Sequence, residues 1–333
     1  MLTSLLLVSI LLADAEVTMA PRPLARVAGY SEHYAQCAAA DCGRALIQIR
    51  SLVFNGRPSG VFVDPQTLAT QVRPVEGLRR TDLGGGAVLP AVIGDTPWGR
   101  ALVDAVRNAA ARQDAGVVHI LPPGQGVYLT IDLCPSKHPL DRRLFRTILD
   151  AFEPEERPVP LGVAITGAWM REHPDDLAWL TGLVTKGEIS VTWINHSDTH
   201  RYDKTAPLVR NFPLRPGTDL RGEVLGAERA MIERGLVPSV FFRFPGLVSA
   251  PDLVGRVAAL GLVSIGSDAW LAKKQEPGPG SIVLVHGNGN EPYGVKRFLD
   301  LLKRERSDIR ARHFLLFDLR EALSEAEATP RPR

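Results

Sequence analysis

From residue 127 onward the chain alternates short apolar runs with longer mixed ones, and this alternation constrains the fold more than any other feature. The apolar runs, at 127–132, 161–166, 189–195, 240–243, 263–266, 282–286 and 314–317, have the length and composition of buried strands. Between them lie candidate helices at 141–152, 174–186, 219–234, 251–260 and 295–304. Strands separated by helices of this length pair in parallel, because a helical crossover brings the chain back to the same end of a sheet. Six or seven such strands predict an α/β domain, an incomplete or distorted (β/α) barrel. No repeat of fixed period accompanies the alternation.

Residues 21–125 carry no readable motif and predict a small N-terminal appendage of unassigned role. They include an Ala-rich stretch, a strand-like run at 59–63 and the break Gly84-Gly85-Gly86. Thr96 followed by Pro97 reads as a helix cap and first helical residue, for a helix running through 101–106. The stretch from Leu121 to Gly126, rich in Pro and Gly, marks a boundary. The organisation expected is a signal segment at 1–20, the appendage at 21–125, a catalytic domain at 126–322 and a polar tail at 323–333. The apolar run Leu5 to Leu12 is too short to span a bilayer and suits the core of a secretory signal, with Ala13 and Ala15 as small cleavage-site residues. The basic residues usual before such a core are missing, so a buried N-terminal strand or helix is the other reading. Export to the periplasm or beyond is the expectation, with no membrane span left after cleavage.

Lys plus Arg number 39 and Asp plus Glu 37, with no long run of one sign, which argues against a nucleic-acid or anionic-membrane partner. Three cysteines exclude a four-cysteine zinc site. Cys37 and Cys42 are close enough to bridge in an oxidising compartment, or are two unrelated small residues.

The chemistry-bearing residues fall at or after five of the strand candidates, one cluster to each of the five. Asp132 ends the first. His196 and His200, in His196-Ser197-Asp198-Thr199-His200, follow the third. Arg243 ends the fourth, followed by Pro245 and Gly246. Asp268 and Trp270 follow the fifth, and His286 ends the sixth. Taken singly, Asp132 is a plausible helix cap, Arg243 a surface ion pair and His286 a satisfied interior histidine. Five such clusters at one rim argue for a site, because the loops at the C-terminal ends of barrel strands converge on one mouth. Two neutral imidazoles four residues apart are a metal-ligand pattern, and zinc is the ion that most often takes them.

This order and spacing resemble the polysaccharide deacetylases of the NodB-homology group, carbohydrate esterase family 4, over roughly residues 127 to 320. The family's Thr-Phe-Asp-Asp-Gly stands here as Thr130-Ile131-Asp132-Leu133-Cys134. Its His-Ser/Thr-x-x-His is matched in full by residues 196 to 200. Its Arg-x-Pro-Tyr/Phe is met in part by Arg243-Phe244-Pro245-Gly246, its Asp near a Trp by Asp268 and Trp270, and its Leu-x-Leu-x-His by Ile282 to His286. The resemblance implies a NodB-type barrel and hydrolysis of an N-acetyl or O-acetyl group on a polysaccharide or oligosaccharide. His196 and His200 would hold a divalent ion, most plausibly zinc, that polarises the acetyl carbonyl and acidifies water. Asp132 would be the general base, paired with Arg243. The Gly246 N–H, after Pro245, would help stabilise the oxyanion. His286 would protonate the leaving group, with Asp268 orienting it, and Trp270 and Leu284 would wall the acetyl pocket.

Leu133 stands where the family places its metal-binding carboxylate, and leucine cannot ligate a cation. Three repairs are open. Asp198 could turn to the metal, Cys134 or His138 could supply a ligand from the same loop, or Asp132 could itself ligate. The substitution also motivates a weakly active or inactive glycan-binding protein as an alternative. A third reading is a metal-independent amidohydrolase of the same superfamily.

Overall fold

The computed structural model describes residues 23–325 apart from 110, 111 and 123, so the expected signal segment and most of the tail lie outside the described residues. The N-terminal region, unreadable as sequence, is a five-stranded antiparallel sheet. Its strands are β1 (Val27–Cys37), β2 (Leu46–Phe54), β3 (Arg57–Val63), β4 (Thr70–Pro74) and β5 (Arg80–Asp82), in the order β4-β3-β2-β1-β5. A two-residue turn joins β2 to β3. Asn55 and Gly56 both have positive φ, 48° and 84°, the backbone that a tight hairpin with the right twist requires. Cys37 and Cys42 are bridged across the short helix α1 (Ala39–Cys42). Helices α2 (Leu89–Ile93) and α3 (Pro97–Arg107) follow, and Thr96 Oγ1 caps α3 by accepting from the Gly99 N–H at 3.2 Å, as the Thr-Pro pair predicts.

The alternating part is β6 (Gly126–Leu133), α4 (Arg142–Ala151), β7 (Val159–Ile165), α5 (Gly167–Glu172), α6 (Pro174–Thr185), β8 (Ile189–Asn195), α7 (Leu220–Glu233), β9 (Phe241–Phe242) and α8 (Pro251–Ala259). It continues with β10 (Val263–Ser264), β11 (Ala269–Trp270), β12 (Ile282–His286), α9 (Pro292–Arg304), α10 (Arg306–Arg310), β13 (Leu315–Leu316) and α11 (Leu319–Glu325). All its strand pairings are parallel, in the order β10-β9-β8-β7-β6-β12-β11, with β13 beside the start of β6. This is an incomplete (β/α) barrel, open between β10 and β11.

Alternation along the strands separates two faces. Val127, Leu129, Ile131 and Leu133 of β6 point outward into a cluster with Leu144, Ile148, Phe298 and other helix residues. Tyr128 points inward, as do Ala164 of β7, Ile194 of β8 and Ile282 of β12. The inward column of β6 goes on through Thr130 and Asp132, which are buried and ion-paired or hydrogen-bonded across the barrel to Arg243.

The gap between β10 and β11 is filled from the N-terminal region. Residues 112–120 run through it in isolated bridges, Gln113 to Val248, Val117 to Ile265 and His119 to Ser281. The Val117 N–H donates to the Ser264 carbonyl at 2.9 Å, and the Gly266 N–H returns to the Val117 carbonyl at 2.9 Å. Ile120 donates to the Gly280 carbonyl at 3.1 Å on the other side. The N-terminal sheet, α2 and α3 share one apolar cluster with the barrel interior, from Ile47, Val61 and Trp98 to Tyr128, Ile194 and Ile282. A buried ion pair ties the two parts further. Arg50 of β2 grips Glu228 of α7 with two bonds, at 2.7 and 2.9 Å, and Tyr30 donates to the same carboxylate at 2.9 Å.

Candidate active site

The C-terminal ends of β6, β8, β9 and β12 bring Asp132, His196, His200, Arg243 and His286 to one end of the barrel. Arg243 is fully buried. Its Nη1 donates to Asp132 Oδ1 and to Thr130 Oγ1, both at 2.7 Å, and its Nη2 to the Gly266 carbonyl at 2.8 Å. The Thr130 hydroxyl in turn donates to the Val283 carbonyl at 2.6 Å. One oxygen of Asp132 is therefore fixed, and Oδ2 is left facing the histidines. Burial alone would push the Asp132 carboxyl up, but Arg243, then His196 and His286, outweigh it and hold the group below the ordinary carboxylate range.

His196 Nδ1 lies 2.8 Å from the Arg243 carbonyl. A carbonyl only accepts, so Nδ1 carries the proton and Nε2 presents its lone pair inward. Nε2 lies 3.5 Å from Cys134 Sγ and 3.6 Å from Asp132 Oδ2. Burial lowers the His196 pKa, and Asp132 and Cys134 raise it to a value above the ordinary one.

The turn carrying His200 is strained and well held. Ser197 and His200 both have left-handed backbone, φ 71° and 48°, which side chains other than glycine seldom adopt. Glu223 of α7 accepts from the N–H groups of Asp198 and Thr199 at 3.0 and 2.8 Å, and Asn195 Oδ1 from the Ser197 N–H at 3.0 Å. The result sets the His200 ring edge-on to His196, centroids 4.7 Å apart. His200 Nε2 is shielded from solvent and has no hydrogen-bond partner.

His286 ends β12. Its Nδ1 lies 2.8 Å from Glu291 Oε2, near in distance but poorly aligned with the ring N–H, so the contact acts as a charge pair. Trp270 Nε1 donates to the same oxygen at 2.7 Å. Burial lowers the His286 pKa, while Cys134, Glu291 and Asp132 raise it well above the usual histidine range. Trp270 and Leu284 pack with Leu247 in a small apolar cluster beside it. Gly246 has φ 60°, and a Cβ there would stand 2.4 Å from a ring carbon of Tyr202. The Tyr202 ring thus occupies the space that a side chain at position 246 would take.

The geometry corrects the expected role of Asp268 and narrows the open repairs. Asp268 does not orient His286. It pairs with His119 Nδ1 at 2.8 Å and accepts from the Ile282 N–H at 3.0 Å, fastening the inserted segment to the barrel, and Glu291 stands beside His286 instead. Asp198 does not face the cluster, because Arg171 holds it at 2.8 Å on the side of α5. Leu133 does not face it either, since its side chain belongs to the outer cluster near Leu144. His138 is exposed on the loop after β6.

The residues that sequence reasoning left undecided or unseen are Cys134, Glu291, Tyr202 and Gln113. Cys134 is one of the open repairs, and Glu291 is unassigned from the sequence. Tyr202 lies two residues past His200, a nearness that is the only signal it gave. Gln113 comes from the inserted segment and donates to the Gly246 carbonyl at 3.0 Å. Nothing in its local sequence marks it.

Among the described residues two groups bring three possible metal-ligand atoms within 4.8 Å of one another: Cys134, His196 and His200, and Asp132, Cys134 and His286. The first fits a resident divalent ion better. Its His200 Nε2 is buried without a hydrogen-bond partner and its His196 Nε2 is aimed inward, whereas one oxygen of Asp132 and the Nδ1 of His286 are paired with Arg243 and Glu291. In this group Cys134 lies deep in the site, its thiol pushed up by burial but drawn well below its ordinary value by His200, His286 and His196.

No protein-family model matches the chain. Solved structures similar to it include a family 4 carbohydrate esterase from Bacillus anthracis, 17% identical over 67% of this chain and 90% of that one, TM-score 0.44. Another is a family 4 carbohydrate esterase from Streptomyces lividans in complex with acetate, 17% identical over 58% and 91%, TM-score 0.38. A third is a pseudoenzyme of the same family from Bacillus anthracis, 18% identical over 61% and 66%, TM-score 0.40. All three belong to carbohydrate esterase family 4, the family that the sequence motifs resemble.

Proposed function

We propose that the protein is an exported, metal-dependent hydrolase that removes acetyl groups, N-acetyl first, from a cell-envelope or extracellular polysaccharide. The observation that carries this reading is the convergence of an Arg-held carboxylate and a Glu-held imidazole on one cluster of metal-ligand atoms. A divalent ion, zinc by preference, held by His196 and His200 would supply carbonyl polarisation and a more acidic water.

The chain's own groups divide the remaining work. Asp132, kept ionised by Arg243, takes the proton of the attacking water at Oδ2. The Gly246 N–H, after Pro245, faces the developing oxyanion. Trp270 and Leu284 receive the acetyl methyl in their apolar cluster. His286 gives its proton to the departing nitrogen as the C–N bond breaks, and acetate remains. The pairing with Glu291 favours the protonated ring that this step needs. Export draws support from the Cys37–Cys42 bridge, which persists in oxidising compartments.

The test is acetate release from N-acetylglucosamine oligomers by the zinc-loaded protein, beside its Asp132→Asn variant. Turnover by the first, and a loss of about 10²-fold or more in the second with zinc still bound, supports the reading. Oligomer binding without acetate from either would leave a glycan-binding protein. Loss of zinc in Asp132→Asn would make Asp132 a ligand and remove it as the base.

A further inference from the structure

We infer that Cys134 is the third protein ligand of the metal, giving a Cys-His-His centre in which a thiolate supplies the negative charge lost at Leu133. This rests on the metal-dependent reading above and names the donor that reading leaves open. The alternative donors are less well placed. Asp198 is held by Arg171, His138 is exposed, and Asp132 has one oxygen held by Arg243 and the other given to the attacking water in the reading above. Cys134 is buried, and its Sγ stands within 4.8 Å of the inward nitrogens of both His196 and His200.

The spacing suits a shared ion. A zinc with Zn–S of about 2.3 Å and Zn–N of about 2.0 Å at tetrahedral angles sets its S and N ligands roughly 3.5 Å apart. Cys134 Sγ and His196 Nε2 lie 3.5 Å apart. His200 Nε2 is the second, independent sign, a buried ring nitrogen with no hydrogen-bond partner in the protein. The loop holding Cys134 is clamped for the purpose. Asn288 Nδ2 donates to the Cys134 carbonyl at 2.5 Å, Asn290 to the Pro135 carbonyl at 3.3 Å, and Ser136 Oγ to the Asn288 carbonyl at 2.8 Å. Three protein ligands leave a fourth position open, the arrangement of catalytic zinc. A thiolate is softer than a carboxylate, so this centre prefers zinc to manganese or magnesium.

Cobalt(II) reads the ligand directly, since thiolate-bound cobalt has an intense charge-transfer absorption in the near ultraviolet. The chain has three cysteines and two are bridged, so any such band has a single source. The full-length protein, stripped of metal and titrated with cobalt alone, should develop the band to one thiolate per ion. Cys134→Ser should lose the band. Cys134→Asp should bind zinc without it and shift the zinc-over-manganese preference by about tenfold towards manganese. Cobalt binding to the unaltered protein without the band overturns the Cys134 assignment and leaves the metal-dependent reading standing. No cobalt or zinc bound at all overturns both. The unaltered protein alone decides the matter if a variant fails to fold.

Discussion

Leu133→Asp is the substitution that alignment with the deacetylase motifs would choose to restore a metal-binding carboxylate, and the structure predicts that it fails. The Leu133 side chain is wholly buried and belongs to the cluster between the barrel and its outer helices, near Ile131 and Leu144. Removing a buried leucine forfeits about 2–5 kcal/mol of packing. An ionised carboxylate in its place adds several kcal/mol of desolvation, reduced only in part if the group takes up a proton. The sum, about 5 kcal/mol or more, is a large share of the roughly 5–15 kcal/mol that holds a domain together. At about 2–4 °C per kcal/mol, the melting temperature should fall by about 10 °C or more. Leu133→Ala, which loses packing alone, should melt between the variant and the unaltered protein. Thermal melts followed by circular dichroism, with zinc per chain by elemental analysis, measure both quantities. An aspartate variant that melts above the alanine variant and keeps zinc more tightly than the unaltered protein would refute the reasoning, for it would place side chain 133 at the metal.

His286→Ala should slow the hydrolysis of N-acetyl substrates by about 10²-fold or more and activated aryl esters far less, because only the poor leaving group needs a proton; equal losses in a steady-state comparison would remove it as the acid. Glu291 is held below the ordinary glutamate range, burial being outweighed by His286. Its contribution to stability is therefore whole above about pH 4.3, the unfolded value, and is lost as the pH falls through the lower folded value. Urea titrations at successive pH values should show a shallower acid decline for Glu291→Gln, and an unchanged slope would mean that the carboxylate is not coupled to folding. Glu228→Ala should cost about 3–5 kcal/mol in the same assay by stranding the Arg50 guanidinium, and a loss under 1 kcal/mol would show that the pair does not bind the N-terminal sheet to the barrel.

The parts of this fold that could be read in advance are those whose signals are local. β8 and β12 fall at residues 189–195 and 282–286 as the apolar runs predict, and Thr96 caps α3 as its pairing with Pro97 predicts. β9 and β10 are cut to two residues each, since the apolar runs there continue into loops that bond the inserted segment. β11 is too short, at Ala269 and Trp270, to carry any periodicity. Of the N-terminal sheet only the run at 59–63, in β3, is legible, because strands such as β4 and β5 are largely polar or exposed and lack the alternation of a half-buried strand. In the site, residue type and order brought His196, His200, Arg243 and His286 into view, since each closes or follows a strand. Asp268 is given to His286 by the resemblance alone, while its observed pairing, with His119, crosses from a segment without a motif. Pairings between residues far apart in the chain leave no trace in local composition.

The inserted segment also sets a condition on synthesis. Residues 112–120 leave the ribosome before β6, while their partners Val248, Ile265 and Ser281 emerge only later and in that order. Contacts of such sequence separation are the slow ones to form, and an unpaired strand is open to wrong partners meanwhile. Closure of the barrel thus comes late in folding, and it depends on both the early and the late parts of the chain. A chain begun at β6 would leave the inner edges of β10 and β11 bare, and a chain halted before Ser281 would hold His196 and His200 with neither His286 nor a closed wall beside them. The barrel wall is therefore not closed until the chain has been made past Ser281.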